Sequence, residues 1–167
     1  MASISSRGEI VQTSGELPLP GDPAPDFSLR RADLSPLSLA DFAGSRLVLN
    51  IFPSIDTPTC AKSVRQFNQR AADMPNTRVL CVSADLPFAL SRFCGAEGID
   101  RVDTASVYRS PSFGLDYGVF MADGRLAGLL ARAVVVINEH GRVIHRELVP
   151  EIAQEPDYEA VLAALQP

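Results

Sequence analysis

The chain is short of the features that mark most other function classes. No apolar run approaches the ~20 residues needed to span a bilayer. Lys and Arg form no cluster: fifteen basic residues stand against twenty acidic ones, for a formal charge of -5. Nucleic acid is therefore not an expected partner. Three cysteines in 167 residues are too few, and odd in number, for a secreted disulfide framework. The opening MASISSRGEIVQTSGELPLPG has no apolar central stretch of a secretory signal, so the expectation is a cytoplasmic protein that does not engage a membrane. Internal repeats and low-complexity tracts are absent. There is no Cys-x-x-Cys pair for general disulfide exchange, no Gly-x-Ser-x-Gly for an esterase and no phosphate-binding loop. His140 and His145 lack ligand spacing with each other or with the cysteines, and neither a metal nor another cofactor is expected.

What is present describes a globular α/β chain. Hydrophobic residues make up 46% and charged residues 21%, enough apolar surface for a core without staples. One domain over residues 1–167 is the economical reading, with residues 1–20 as an N-terminal extension in which EIVQT and LPLP form a small hairpin. Four apolar, β-branched runs predict core strands: RLVLNIF from Arg46, TRVLCVSA from Thr77, RAVVVIN from Arg132 and RVIHREL from Arg142. The first three are almost continuously hydrophobic, which implies burial on both sheet faces. Val64, Phe67 and Ala71 recur at helical spacing between the first two strands, so strand, helix and strand predict a right-handed parallel crossover. A second helix is expected over LPFALSRFC, with Asp85 as a possible cap and a stop at Gly95 or Gly98. PSFGLDYG reads as a short helix and INEHGRVI as the turn of an antiparallel hairpin. Tyr158, Val161, Leu162 and Leu165 mark a last amphipathic helix that covers the sheet.

The segment FPSIDTPTC, Phe52 to Cys60, follows the first strand and carries the chemistry. Thr57 is a good helix cap and Pro58 suits the first helical position, so Cys60 falls in the first turn. There its sulfur meets unpaired backbone N–H groups and the positive end of the helix dipole, which favour thiolate over thiol. The loop is expected at the carboxyl edge of the sheet, where sites in open α/β sheets form. Taken alone, a first-turn cysteine also fits a structural role. Cys94, within LPFALSRFC, fits core packing by itself, and Cys81, inside RVLCVSA, is read as a buried core thiol.

Three motifs in order change that balance: Pro53-xxx-Thr57-xx-Cys60, ADLPFALSRFCG around Cys94, and LLARAVVVI carrying Arg132, with GDPAPDFSL upstream. Over nearly its whole length the chain resembles the thiol peroxidases, atypical two-cysteine peroxiredoxins. The resemblance implies a thioredoxin-like (peroxiredoxin) fold: a central mixed sheet flanked by helices, with an N-terminal β-hairpin. It implies that Cys60 is the peroxidatic cysteine, that Cys94 is the resolving cysteine pairing with it in a redox-active disulfide, and that Pro53, Thr57 and Arg132 complete the peroxide pocket. It also implies hydrogen peroxide and organic hydroperoxides as substrates, thioredoxin as reductant and a homodimer.

Each residue type suits its task. A thiolate attacks a peroxide oxygen and becomes a sulfenic acid. Thr57 can accept from a first-turn amide or donate its hydroxyl proton towards sulfur or peroxide, and both roles stand. Arg132 brings a permanent cation with several donors. Pro53, rigid and without an N–H, shields the sulfur. Cys94 at the end of one helix and Cys60 at the start of another imply local unwinding, since a disulfide needs Cα atoms within roughly 7 Å. Arg92 and Asp85 could also orient the site, but helix-surface charge and capping are adequate explanations for them. Two alternatives remain: a peroxidase that uses Cys60 alone, and a redox sensor in which Cys60 relays oxidation to a partner protein.

Overall fold

The computed structural model describes residues 1–166. Nine strands and four α-helices follow one another: β1 (Ser3–Ser6), β2 (Glu9–Gln12), β3 (Ser28–Arg30), β4 (Pro36–Ser38), β5 (Arg46–Ile51), α1 (Pro58–Arg70), β6 (Thr77–Ser83), α2 (Pro87–Glu97), β7 (Asp103–Ser106), α3 (Ser112–Asp116), β8 (Ala133–Ile137), β9 (Val143–Leu148) and α4 (Tyr158–Ala164). Seven strands form one sheet in the order β4-β3-β7-β6-β5-β8-β9. The central β5, β6 and β7 run parallel, while β8 and β9 run antiparallel to their neighbours.

The three strands expected to be buried on both faces are so, and their side chains divide by parity as a pleated strand requires. Leu47, Leu49 and Ile51 of β5, Leu80 and Val82 of β6, and Ala133, Val135 and Ile137 of β8 enter one core with Phe113, Tyr117 and the hairpin residues Ile4 and Val11. Val48, Val79, Cys81, Val134 and Val136 point the other way. They pack with Val64 and Phe67 of α1, Leu90 and Phe93 of α2, and Tyr158 and Val161 of α4. The amphipathic spacing read from the sequence thus places α1 and α4 where predicted, and Asp157 caps α4 by accepting from the Ala160 amide at 3.0 Å. Gly98 ends α2 in the left-handed region, φ 65°, with its N–H on the Cys94 carbonyl.

Three expectations are corrected. The N-terminal hairpin pairs EIVQ with the preceding SISS, not with LPLP: β1 and β2 are antiparallel with Ser6 opposite Glu9. The intervening Arg7 and Gly8 both have positive φ, 51° and 86°, the two-residue turn that matches strand twist. Pro18 and Pro20 lack the N–H that a ladder needs, and LPLP lies outside any strand. Second, the sheet has β3, β4 and β7 besides the four predicted strands. Each has only three or four residues and a largely polar composition, too short for an alternation signal. Third, α2 is capped at Leu86 without a side-chain bond, because the Asp85 carboxylate is engaged elsewhere.

Among the described residues no helix is long and apolar enough to cross a membrane. Phe67 is fully buried and meets Tyr158 edge-on, with ring centroids 5.1 Å apart. Phe67→Ala is expected to cost about 3–5 kcal/mol, read as a lower urea midpoint with unchanged slope.

Candidate active site

The first strand of the crossover delivers the cysteine. After Ile51 the chain turns through Phe52, whose N–H donates to the Val82 carbonyl at 3.1 Å, and a buried Pro53. The Ser54 carbonyl then accepts both the Thr57 N–H, at 3.1 Å, and the Thr57 hydroxyl, at 2.9 Å. Thr57 stands at the N-cap of α1 in extended conformation with Pro58 following. Its hydroxyl does not take the capping role read from the sequence, because it closes the preceding turn instead of receiving a first-turn amide. Cys60 is the third helical residue and is fully buried. In the next turn the Ser63 hydroxyl donates to the Cys60 carbonyl at 2.8 Å and accepts from the Asn50 amide at 3.2 Å.

Arg132 reaches this sulfur because β8 runs antiparallel to β5. Ala133 pairs with Ile51, the last residue of β5, so the residue before Ala133 sits beside the segment that leads to Cys60. The guanidinium is 2% exposed. Its Nε and Nη2 both donate to the Ile152 carbonyl, at 3.0 and 2.8 Å, and Nη2 also approaches Cys60 Sγ at 3.4 Å. Nη1 has no protein partner. A permanent cation taken out of water is costly without compensating groups, and the Ile152 carbonyl and the Cys60 sulfur are the groups at hand. The pocket over this arrangement holds about 240 Å³ and is lined by Pro53, Thr57, Arg132, Leu126, Leu129 and Ile152, among others. Leu126, Leu129, Pro53 and Pro58 give it apolar walls, and Arg7 and Arg125 also line it.

The structure brings Pro53, Thr57 and Arg132 to one pocket, buries Cys60 Sγ behind it at 3.4 Å from Arg132, and leaves Cys94 apart. Cys94 is half-buried on the last turns of α2 and lines a different cavity of about 510 Å³ with Arg78, Asp103 and Thr104. Arg78 and Asp103 begin β6 and β7, so Cys94 lies towards the amino edge of the sheet and Cys60 at the carboxyl edge. Burial pushes the Cys94 thiol up, opposed by a hydrogen bond with Thr104. Burial pushes the Cys81 thiol up to about 12, opposed by the Asn50 amide. None of the three cysteines is joined in a disulfide. Arg92 is an exposed surface charge, 3.3 Å from Asp56, as the sequence suggested. No group of three or more His, Cys, Asp and Glu side chains among the described residues is placed to hold a metal.

Sequence reasoning missed several members of the site. Asn50 is a lone amide in the apolar run LVLNI, and a buried polar group there signals a required hydrogen bond. The Ile152 carbonyl offers no such signal, since any residue supplies it. For Asp85 a cap is the simpler explanation of the local sequence and an orienting role the lesser one, yet its carboxylate accepts from Ser54 and Ile55 in the Cys60 loop.

Comparison with known proteins follows the same lines. The Redoxin family model matches residues 19–162. Thiol peroxidase from Mycobacterium tuberculosis (strain ATCC 25618 / H37Rv) is 61% identical over 165 residues, 99% of either chain. Thiol peroxidase from Corynebacterium glutamicum is 53% identical over the same share of each. Among solved structures, a peroxiredoxin-like protein from Aquifex aeolicus superimposes with a TM-score of 0.92 at 36% identity, covering 99% of this chain and 96% of that one.

The Cys81 thiol generates a pH dependence. It ionises near 9.0 when unperturbed and near 12 in the fold, so the folded state holds the extra proton between those values and stability falls as pH rises through that window. Cys81→Ala is expected to lose about 1 kcal/mol at neutral pH through its small cavity, yet to show a shallower alkaline decline in denaturant titrations.

Proposed function

Because this chain belongs to the redoxin family and, within it, to the thiol peroxidases, we propose that its Cys60 pocket reduces hydrogen peroxide and organic hydroperoxides, that Cys94 resolves the oxidised sulfur and that thioredoxin restores both thiols. The observation that carries this reading is the buried Arg132 guanidinium, 3.4 Å from Cys60 Sγ, with a further N–H donor unengaged.

The ionised sulfur attacks one oxygen of the hydroperoxide, the S–O bond forms as the O–O bond breaks, and sulfur is oxidised by two electrons to a sulfenic acid. The other oxygen leaves with the electron pair and takes a proton to become water or an alcohol. The two unequal duties of Arg132, one donor towards sulfur and one free for an oxygen, suit a transition state in which negative charge moves from the first to the second. Pro53 and the leucine side of the pocket keep competing water out and accept the apolar body of an organic hydroperoxide. Thr57 holds the turn that aims the first residues of α1 at the substrate.

In the second step the Cys94 sulfur attacks the sulfenic sulfur of Cys60, an S–S bond forms and hydroxide leaves with the Cys94 proton as water. The separate cavities of the two cysteines require α2 to unwind first. Unwinding also removes the burial that holds Cys94 protonated, so the resolving thiol becomes nucleophilic when it becomes mobile. A dithiol of thioredoxin then exchanges with the bridge and is itself oxidised. The cytoplasm, where thioredoxin keeps thiols reduced, is the compartment this cycle needs. Exposed Leu86, Phe88 and Leu115 supply apolar surface for a homodimer.

With thioredoxin, its reductase and a nicotinamide reductant, the wild-type protein is expected to consume hydrogen peroxide over many turnovers. Cys60→Ser abolishes consumption, and Cys94→Ser allows one oxidation and then stalls; unimpaired turnover by Cys94→Ser overturns its role as resolver. Arg132→Lys keeps the charge but not the fork and is expected to slow Cys60 oxidation by about 10²–10³-fold, measured by stopped-flow over the first turnover.

A further inference from the structure

Asp85 lies between the two segments that carry the reactive cysteines. Its Oδ1 accepts from the Ser54 hydroxyl at 2.7 Å, and its Oδ2 accepts from the Ile55 amide at 2.6 Å, both in the loop that leads to Cys60. Oδ2 also accepts from the Ser83 hydroxyl, at 2.5 Å, at the end of β6. The Asp85 N–H donates back to Ser83 Oγ at 3.2 Å, and its carbonyl accepts the Ser106 hydroxyl at the end of β7. Pro87, two residues on, begins α2, the helix of Cys94. On the other side, Ser54 accepts twice from Thr57, the N-cap of the Cys60 helix. A hydrogen-bonded path therefore runs from the root of α2 through one carboxylate to the first turn of α1.

We propose that Asp85 is the positioning residue of the cycle: its carboxylate locks the Cys60 loop to the root of α2, holding Cys60 ready for peroxide, and its release frees α2 to unwind so that Cys94 reaches the oxidised sulfur. The inference rests on the peroxidase reading above. A carboxylate is needed because three donors converge on two oxygens. An asparagine of the same shape keeps the Ile55 N–H and Ser83 bonds only by turning its NH₂ to Ser54, whose hydroxyl must then accept instead of donate, so the charge-assisted bonds to all three groups are lost or weakened. The other ion pairs between these segments, Arg92 to Asp56 and Arg65 to Glu97, join exposed side chains and hold less firmly than a part-buried carboxylate with three donors. Asp85 thus touches neither Cys60 nor the substrate pocket, yet bears on both sulfur steps.

A lock of this kind affects the two steps in opposite directions, which general loss of stability does not. In a Cys94→Ser background, Asp85→Asn is expected to slow Cys60 oxidation by hydrogen peroxide at least about tenfold, through misplacement of the loop. With Cys94 present, the later phase, in which sulfenic acid becomes disulfide after one equivalent of peroxide, is expected to be faster in Asp85→Asn than in wild type. Ser54→Ala removes one donor and keeps the carboxylate, so it moves both rates the same way by less, and it carries the test alone if Asp85→Asn does not fold. Rates that are unchanged, or that fall together, overturn the inference while leaving an active wild type intact. A wild type inert to hydrogen peroxide overturns the peroxidase reading as well.

Discussion

A buried guanidinium next to a sulfur is the contact from which the rest of the site follows. Arg132 is held by the Ile152 carbonyl on one side and Cys60 on the other. Its depth in the fold makes the charge effective, because little water intervenes to screen it. That depth is available only because β8 starts where β5 stops. Reversing either strand would carry the arginine to the far edge of the sheet. The antiparallel entry of β8 into an otherwise parallel centre therefore builds the candidate site as well as the core.

The remaining residues hold this pair in register. Ser54 and Thr57 tighten the turn before α1, Asn50 and Ser63 brace its second turn, and three strands contribute the polar groups at their ends. None of these contacts is strong singly, a typical hydrogen bond adding about 1 kcal/mol. Their effect is geometric: a buried sulfur, a donor fork and an apolar wall arrive at one pocket with little freedom to drift.

Much of this was legible in the residues. The runs from Arg46, Thr77 and Arg132 are buried on both faces because their apolar content is continuous, and α1 and α4 announce themselves by spacing. The position of Cys60 in the first turn follows from Thr57 and Pro58 alone. What escaped is what local pattern does not encode. SLR, PLS and DTAS become strands because longer strands or partners already wait beside them. SISS pairs with EIVQ because Arg7 and Gly8 accept positive φ, a possibility that a stronger-looking run further along obscured. Asp85 has the local signature of a cap and is recruited by a loop thirty residues away in sequence, which no window around it reveals. The resemblance assigned roles to Cys94 and Arg132 that their immediate neighbours could not.

The distance between the cavities of Cys60 and Cys94 has a thermodynamic side. Joining the two sulfurs, as proposed above, would mean giving up the packing of Leu90 and Phe93 against the sheet, so the dithiol form would keep a stabilisation that the bridged form lacks. Linkage then raises the reduction potential of the couple, as in any oxidant whose reduced state is the better folded one. In the cycle proposed above, the fold itself would draw electrons towards the bridge, and refolding of α2 would help to drive each turnover back to its start.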